Sequence, residues 1–123
     1  MFPTERDGYV KIIDWQSYEN GQGAYDLAYL IALHWFPERR RRYEEAVLDR
    51  YFGALVAGGV RGYSRDELSR DYRLAVAELL FLPAWQREAG LGAGIWFNHL
   101  ERIFSAFEDL DCRALLREAA RRG

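Results

Sequence analysis

Only the start of the chain carries a strand-like cluster of apolar residues. Tyr9-Val10-Lys11-Ile12-Ile13 is rich in β-branched and aromatic side chains and reads as a strand. Asp7-Gly8 before it is a hairpin turn signal, which makes Met1-Phe2 the other strand of a short hairpin over 1–14. Ser17 to Gly23 is a polar, Gly-containing loop. From Ala24 the apolar positions recur every three or four residues, the period of helices that bury one face. Ala24 to Trp35 predicts the first helix, with Leu27, Leu30, Ile31 and Leu33 inward, and Pro37 ends it or starts the next. Glu38 to Ala57 carries Tyr43, Ala46, Val47, Tyr51, Ala54 and Leu55 at helical spacing, and Gly58-Gly59 stops it. Ser64-Arg65-Asp66-Glu67 is a capping box. It opens a helix to about Leu82 built on Leu68, Tyr72, Ala75, Val76 and Leu79, which Pro83 ends or kinks. Gly90, Gly92 and Gly94 form a loop. Trp96, His99, Leu100, Ile103, Phe104 and Phe107 form one stripe of the next helix, and Asp111 caps a last one to about Arg121. The expected fold is mainly α with a short N-terminal β-hairpin.

Composition narrows this. A chain of 123 residues has the length of one domain, and 50% hydrophobic and 15% aromatic residues exclude a disordered tail. Lys and Arg together number 17 against 19 Asp and Glu, a net charge of −2, which argues against nucleic-acid binding. The run Arg39-Arg40-Arg41-Arg42 reads as a solvated helix start balanced by Glu38, Glu44 and Glu45. The single cysteine, Cys112, rules out a disulfide framework and a Cys-based zinc site. It has no base partner nearby in sequence and is expected to be inert. The lone thiol and the missing signal sequence give a cytoplasmic expectation, and no apolar run is long enough for a membrane span.

The chemistry concentrates in one segment. Ile12-Ile13-Asp14-Trp15-Gln16 leads to Gly21-Gln22-Gly23-Ala24-Tyr25-Asp26-Leu27-Ala28-Tyr29. A carboxylate at the end of an apolar strand leaves the core, where it can ligate a hard cation such as Mg²⁺. Asp26 falls in the first turn of a helix, a position that caps or bonds to neighbouring backbone.

These residues resemble the C-terminal lobe of the aminoglycoside-phosphotransferase-like kinases, closest to the ecdysteroid-kinase-like branch. The resemblance is good from residue 1 to about residue 85 and continues through Arg40 to Glu45, Leu48 to Tyr51, Gly58-Gly59-Val60 and Tyr63-Ser64. It implies a protein-kinase-like fold whose nucleotide lobe is absent here, so that 1–123 is a single partial domain: hairpin 1–14, metal-aspartate loop 14–23, helical lobe 24–123. It implies that Asp14 is the Mg²⁺-binding aspartate and that Asp26 is a buried carboxylate bracing the catalytic loop. Trp15 and Gln16 match the family motif without an assignable role. His99 is a candidate for the acceptor pocket.

The departures matter equally. The family's catalytic His-Gly-Asp…Asn loop, which supplies the base, is missing, and no catalytic residue is assigned. Lys11, the only lysine, cannot replace the phosphate-binding lysine, because along the strand it faces away from the side shared by Val10, Ile12 and Asp14. The expectation is a truncated ATP-dependent phosphotransferase for small-molecule hydroxyl acceptors, inactive alone. Mg²⁺ and ATP serve the intact enzyme, and neither is expected on this chain by itself. Surface bared by truncation, around the first strand, Trp15 and Tyr18, is expected to self-associate. The alternative is a non-catalytic helical module that binds a partner or a separately supplied N-terminal half. Trp96, Phe97, Phe104 and Phe107 are expected in the core. Gly90-Leu91-Gly92-Ala93-Gly94 lacks the preceding strand of a dinucleotide fingerprint. His34 and His99 stand too far apart in sequence to show a metal pair, and each is expected to contact aromatics from a helix face.

Overall fold

A computed structural model describes residues 21–123 in full and the backbone of Phe2–Pro3 and Val10–Lys11. The two short segments, β1 (Phe2–Pro3) and β2 (Val10–Lys11), pair antiparallel with Phe2 opposite Lys11 and Pro3 opposite Val10. The turn between them, and Asp14, Trp15, Gln16 and Tyr18, lie outside the described residues.

The remainder is helical. Helix α1 spans Gly23–Ala28 and runs directly into a π-helical turn, Tyr29–Leu33. Helix α2 is Pro37–Ala57, α3 Arg65–Leu79, α4 Leu82–Glu88, α5 Ala93–Asp109 and α6 Cys112–Arg122. Among the described residues, no helix is long and apolar enough to cross a membrane.

Local chemistry sets most boundaries. Pro37 opens α2 at its first turn, where its missing N–H costs nothing. Gly59 closes it at φ 93°, with the Val60 amide donating to the Leu55 carbonyl and the Gly59 amide to Val56, both at 3.0 Å. This is a Schellman ending, and the left-handed backbone at Gly59 is the reason for a glycine there. Ser64 and Glu67 form the expected capping box: the Glu67 amide donates to Ser64 Oγ at 3.1 Å and the Ser64 amide to Glu67 Oε2 at 2.7 Å. The Ser64 amide, helped by the Ser64 hydroxyl, holds the Glu67 carboxyl below its usual range.

Helix α3 is the axis of the core. Leu68, Tyr72, Ala75, Val76 and Leu79, the expected stripe, are all buried. They pack with Ala24, Ala28 and Leu33 from the first helical segment, Leu48 from α2, and Ile103, Ala106 and Phe107 from α5. Burying this stripe outweighs the weak intrinsic stability of helices this short. Arg73 closes the α5–α6 turn by donating to the Leu110 carbonyl at 2.8 Å and the Asp111 carbonyl at 2.6 Å. The Leu110 carbonyl is one that the end of α5 leaves without an intrahelical partner, and the Asp111 carbonyl lies at the start of α6.

Several expectations are corrected. Leu30 is exposed, because the π turn winds more residues into each revolution and rotates it out of the inward stripe. Helix α3 stops at Leu79, and Pro83 belongs to the first turn of α4 instead of ending α3. Gly94 lies inside α5. Phe97 and Phe104, seven residues apart and hence on one face, are about half exposed at 48% and 50%, while Phe107 is buried and Trp96 half-buried. The facing helices cover only the Ile103–Ala106–Phe107 side of α5. Asp111 sits at the expected helix start, but in a left-handed conformation (φ 48°) with no side-chain capping bond. The largest correction concerns α2. Its buried line is Arg40, Glu44 and Leu48, whereas Tyr43 is 45% exposed. The arginine run is therefore solvated at Arg39, Arg41 and Arg42 but not at Arg40.

Candidate functional site

The segment Gly21-Gln22-Gly23-Ala24-Tyr25-Asp26 forms one wall of an open cleft of about 360 Å³. Gln22, Tyr25 and Asp26 from the start of α1 face Asp71, Leu74 and Glu78 from α3 across it. Asp71, Leu74 and Glu78 share a face because they sit three, four and seven residues apart. The cleft is thus electronegative, with three carboxylates and one amide. A second hollow of about 220 Å³ adjoins it, sharing Gln22 and Asp71 and adding Tyr51 and Tyr63. Tyr63 donates its hydroxyl to Asp71 Oδ2 at 2.7 Å. Burial, together with that carboxylate, pushes the Tyr63 hydroxyl well above the usual phenol range, so it stays protonated and fixes Asp71.

Gly23 explains the second glycine of Gly-x-Gly. A Cβ there would run into Oη and Cζ of Tyr51, so the start of α1 lies close under the Tyr51 ring and a larger residue would displace that side chain. That close approach seats α1 against α2 and α3 and presents Asp26 to the cleft. Asp26 itself is exposed, not buried as the resemblance implies, and the loop it would brace is not among these residues. Oxygen donors of this kind suit Mg²⁺. Among the described residues, however, no three groups of a kind that ligate metals come together, so the cleft is not by itself a metal centre. Asp14, with Trp15 and Gln16, lies outside the described residues.

His99 is half-buried and lines neither hollow. Its Nδ1 is 2.9 Å from Oε1 of the buried Gln86 on α4. Its ring meets that of His34 edge to face, with centroids 5.0 Å apart. His34 in turn lies 5.0 Å from the Tyr29 ring. Burial holds the His99 imidazole below its usual pKa, helped by the neighbouring His34 and Arg102.

A buried ionic cluster went unread in the sequence. Arg40 is 1% exposed and reaches Glu44 at 3.2 Å and Asp109 on α5. Tyr72 donates its hydroxyl to Glu44 Oε2 at 2.8 Å, and Arg41 pairs with Asp109 at 2.6 Å. Burial raises the Glu44 carboxyl above its usual range against the pull of Tyr72 and Arg40. The hydrogen bond from Arg41, with Arg40 beside it, lowers Asp109. This cluster joins α2, α3 and α5 and lines neither hollow. Its only signal in the sequence is the four-residue step from Arg40 to Glu44, which exposed helix pairs share. Asp71 and Glu78 had a clearer one, a polar line at 71 and 78 beside the apolar stripe of α3. Cys112 is buried, its thiol donating to the Arg73 carbonyl at 3.4 Å, and burial pushes it up to about 11, as expected for an inert thiol.

No curated protein and no solved structure matches the chain. One family model does, over residues 1–88, a span that includes the Asp14 segment, the Gly-x-Gly turn and helices α1, α2, α3 and α4. That family, DUF1679, is described as "Uncharacterized oxidoreductase dhs-27", and with well over half its length matched the chain belongs to it.

Proposed function

We propose that the chain is the helical, acceptor-side part of an ATP-dependent phosphotransferase that acts on a hydroxyl of a small molecule. It works with a His-Gly-Asp…Asn loop and a nucleotide-covering lobe that these residues do not contain: His34 is followed by Trp35 and His99 by Leu100. The observation that carries this reading is the placement of the Gly-x-Gly-x-x-Asp segment, whose glycine wedges α1 under Tyr51 so that Asp26 borders an open polar cleft. The family match spans residues 1–88, the stretch in which the kinase-like motif falls. The word oxidoreductase in the family's description gains no support from the glycine-rich segment near residue 92. It joins α4 to α5, and a dinucleotide fingerprint needs a strand before it.

In the complete enzyme the acceptor hydroxyl attacks the γ-phosphorus of ATP, the bond to ADP breaks, and the loop's base takes the hydroxyl proton. Mg²⁺, when bound, would neutralise part of the phosphate charge. This chain holds the acceptor beside α1 and α3, and Asp14 is the residue assigned to the ion. The test has two stages. The DNA 5′ of the Met1 codon is read for an in-frame His-Gly-Asp…Asn sequence, and the joined protein is assayed for acceptor-dependent ADP release. Asp14→Ala then lowers turnover on the order of a thousandfold with an unchanged melting temperature, the scale of losing a charge-neutralising group in phosphoryl transfer. Turnover retained by Asp14→Ala overturns the assignment of Asp14, and no ADP release from the joined protein overturns the function.

A further inference from the structure

The solvent side of α3 and α4 forms a single ridge. Leu80 and Phe81, between the two helices, both keep right-handed helical backbone, so the path of α3 continues into α4. Tyr72, Val76, Leu79, Pro83 and Gln86 make the buried line of this double element. On the opposite side Leu74, Glu78, Phe81, Trp85 and Glu88 follow at alternating steps of four and three residues, and all of them are exposed. That alternation is the repeat by which one helix takes another along its length. Neither Glu78 nor Glu88 has an ion-pair partner among the described residues. Arg70 flanks the start of the ridge, and Arg87 turns away from it over the Trp96 ring at 5.7 Å. The ridge is thus apolar and acidic.

Helix α6 is its complement. Cys112 and Leu115 bury the first turn of α6, Cys112 donating to the Arg73 carbonyl, and every residue from Leu116 onward is exposed. Leu116, 43% exposed, shares one side of the helix with Ala120, Arg113, Arg117 and Arg121. In a chain of net charge −2, α6 carries four arginines against one glutamate, Glu118, which pairs with Arg122. Arg117 and Arg121 have no ion-pair partner among the described residues. The anchored first turn keeps α6 on the buried side of α3, away from the ridge of its own chain. We infer that the ridge receives α6 of a second copy of this chain, Leu116 against Phe81 and Trp85 and the arginines beside Glu78 and Glu88. Two ridges face to face would oppose carboxylate to carboxylate, and an anionic lipid surface would be repelled in the same way. The two complementary surfaces differ, so the contact closes by mutual exchange into a pair or adds copies in a row. Phe81 and Trp85 line neither hollow, so the inference does not rest on the phosphotransferase reading.

The test is sedimentation velocity of the untagged chain over a range of concentrations at low and high NaCl. The parent is expected to associate at low salt and to do so at least about tenfold more weakly at high salt, where the charges are screened. Arg117→Glu with Arg121→Glu, and separately Glu78→Arg with Glu88→Arg, are each expected to stay monomeric. An equimolar mixture of these two variants is expected to associate again, because each then meets the opposite charge on both of its surfaces. Trp85→Ala is expected to weaken association of the parent on the order of tenfold. Circular dichroism checks that each variant folds. If the ridge variant does not, the α6 variant and Trp85→Ala decide, and association that either retains at parental strength counts against the contact. A parent that is monomeric at submillimolar concentration, a mixture of folded variants that stays monomeric, or association indifferent to charge reversal and salt overturns the proposal.

Discussion

Arg40 keeps a permanent charge inside the helical core, where an unpaired ion costs several kcal/mol. Glu44, Asp109 and, through Glu44, Tyr72 offset that cost, so the members stand together. Arg40→Met is expected to destabilise by about 3–5 kcal/mol, because Glu44 then stays buried with only the Tyr72 hydroxyl. Arg40→Met with Glu44→Leu is expected to cost less than the sum of the two single changes by about 1–3 kcal/mol, measured by urea unfolding. Additive losses would show that the two side chains do not act as a unit. Acid separates the carboxylates. Asp109 has a lowered folded pKa, so its contribution is complete above the unfolded value of about 3.9 and is lost as pH falls through the folded one. Glu44 is raised, so its ionisation weakens the fold as pH climbs from about 4.3 toward its folded value. Asp109→Asn should therefore be less stable than the parent at pH 6, and the gap should narrow by pH 3. A gap that is constant over this range would remove Asp109 from the acid response. None of this was legible beforehand, because whether an arginine on a charged helix is solvated depends on α3 and α5 closing over it.

At the scale of elements, what the sequence revealed was what neighbours in sequence decide. The Ser64 cap, the Gly58-Gly59 stop and the Pro37 start depend on residues within one turn, and all three hold. Ser64→Ala is expected to lower stability by about 1 kcal/mol through loss of the bond to the Glu67 amide. Thermal melting checks it, and an unchanged midpoint would mean that α3 is held by its buried stripe alone. The π turn was illegible. Its apolar run fits an ordinary helix equally well, and only packing against α3 and α5 chooses the wider winding that exposes Leu30 and carries His34 to α5.

Across the whole molecule, legibility falls with distance along the chain. The cleft was half visible: the Gly-x-Gly-x-x-Asp side announced itself, but Asp71 and Glu78 entered only when α3 packed on α1. The histidine pair was invisible, since no local pattern links the end of a π turn to the middle of α5. The aromatic stripe of α5 misled because its period was right while only one side of it found a neighbour. The surface instead displays Phe81 and Trp85, 76% and 64% exposed.

The lone thiol at the head of α6 makes the protein its own unfolding gauge. While the last helix is docked, a disulfide reagent such as Ellman's finds no accessible thiolate. Each excursion that lifts α6 from Arg73 uncovers one, so the rate of yellow colour counts those excursions. Labelling should be orders of magnitude slower than that of free cysteine and should accelerate with urea ahead of, or together with, the loss of helical signal. Immediate labelling in native buffer would mean that the last helix spends its time undocked.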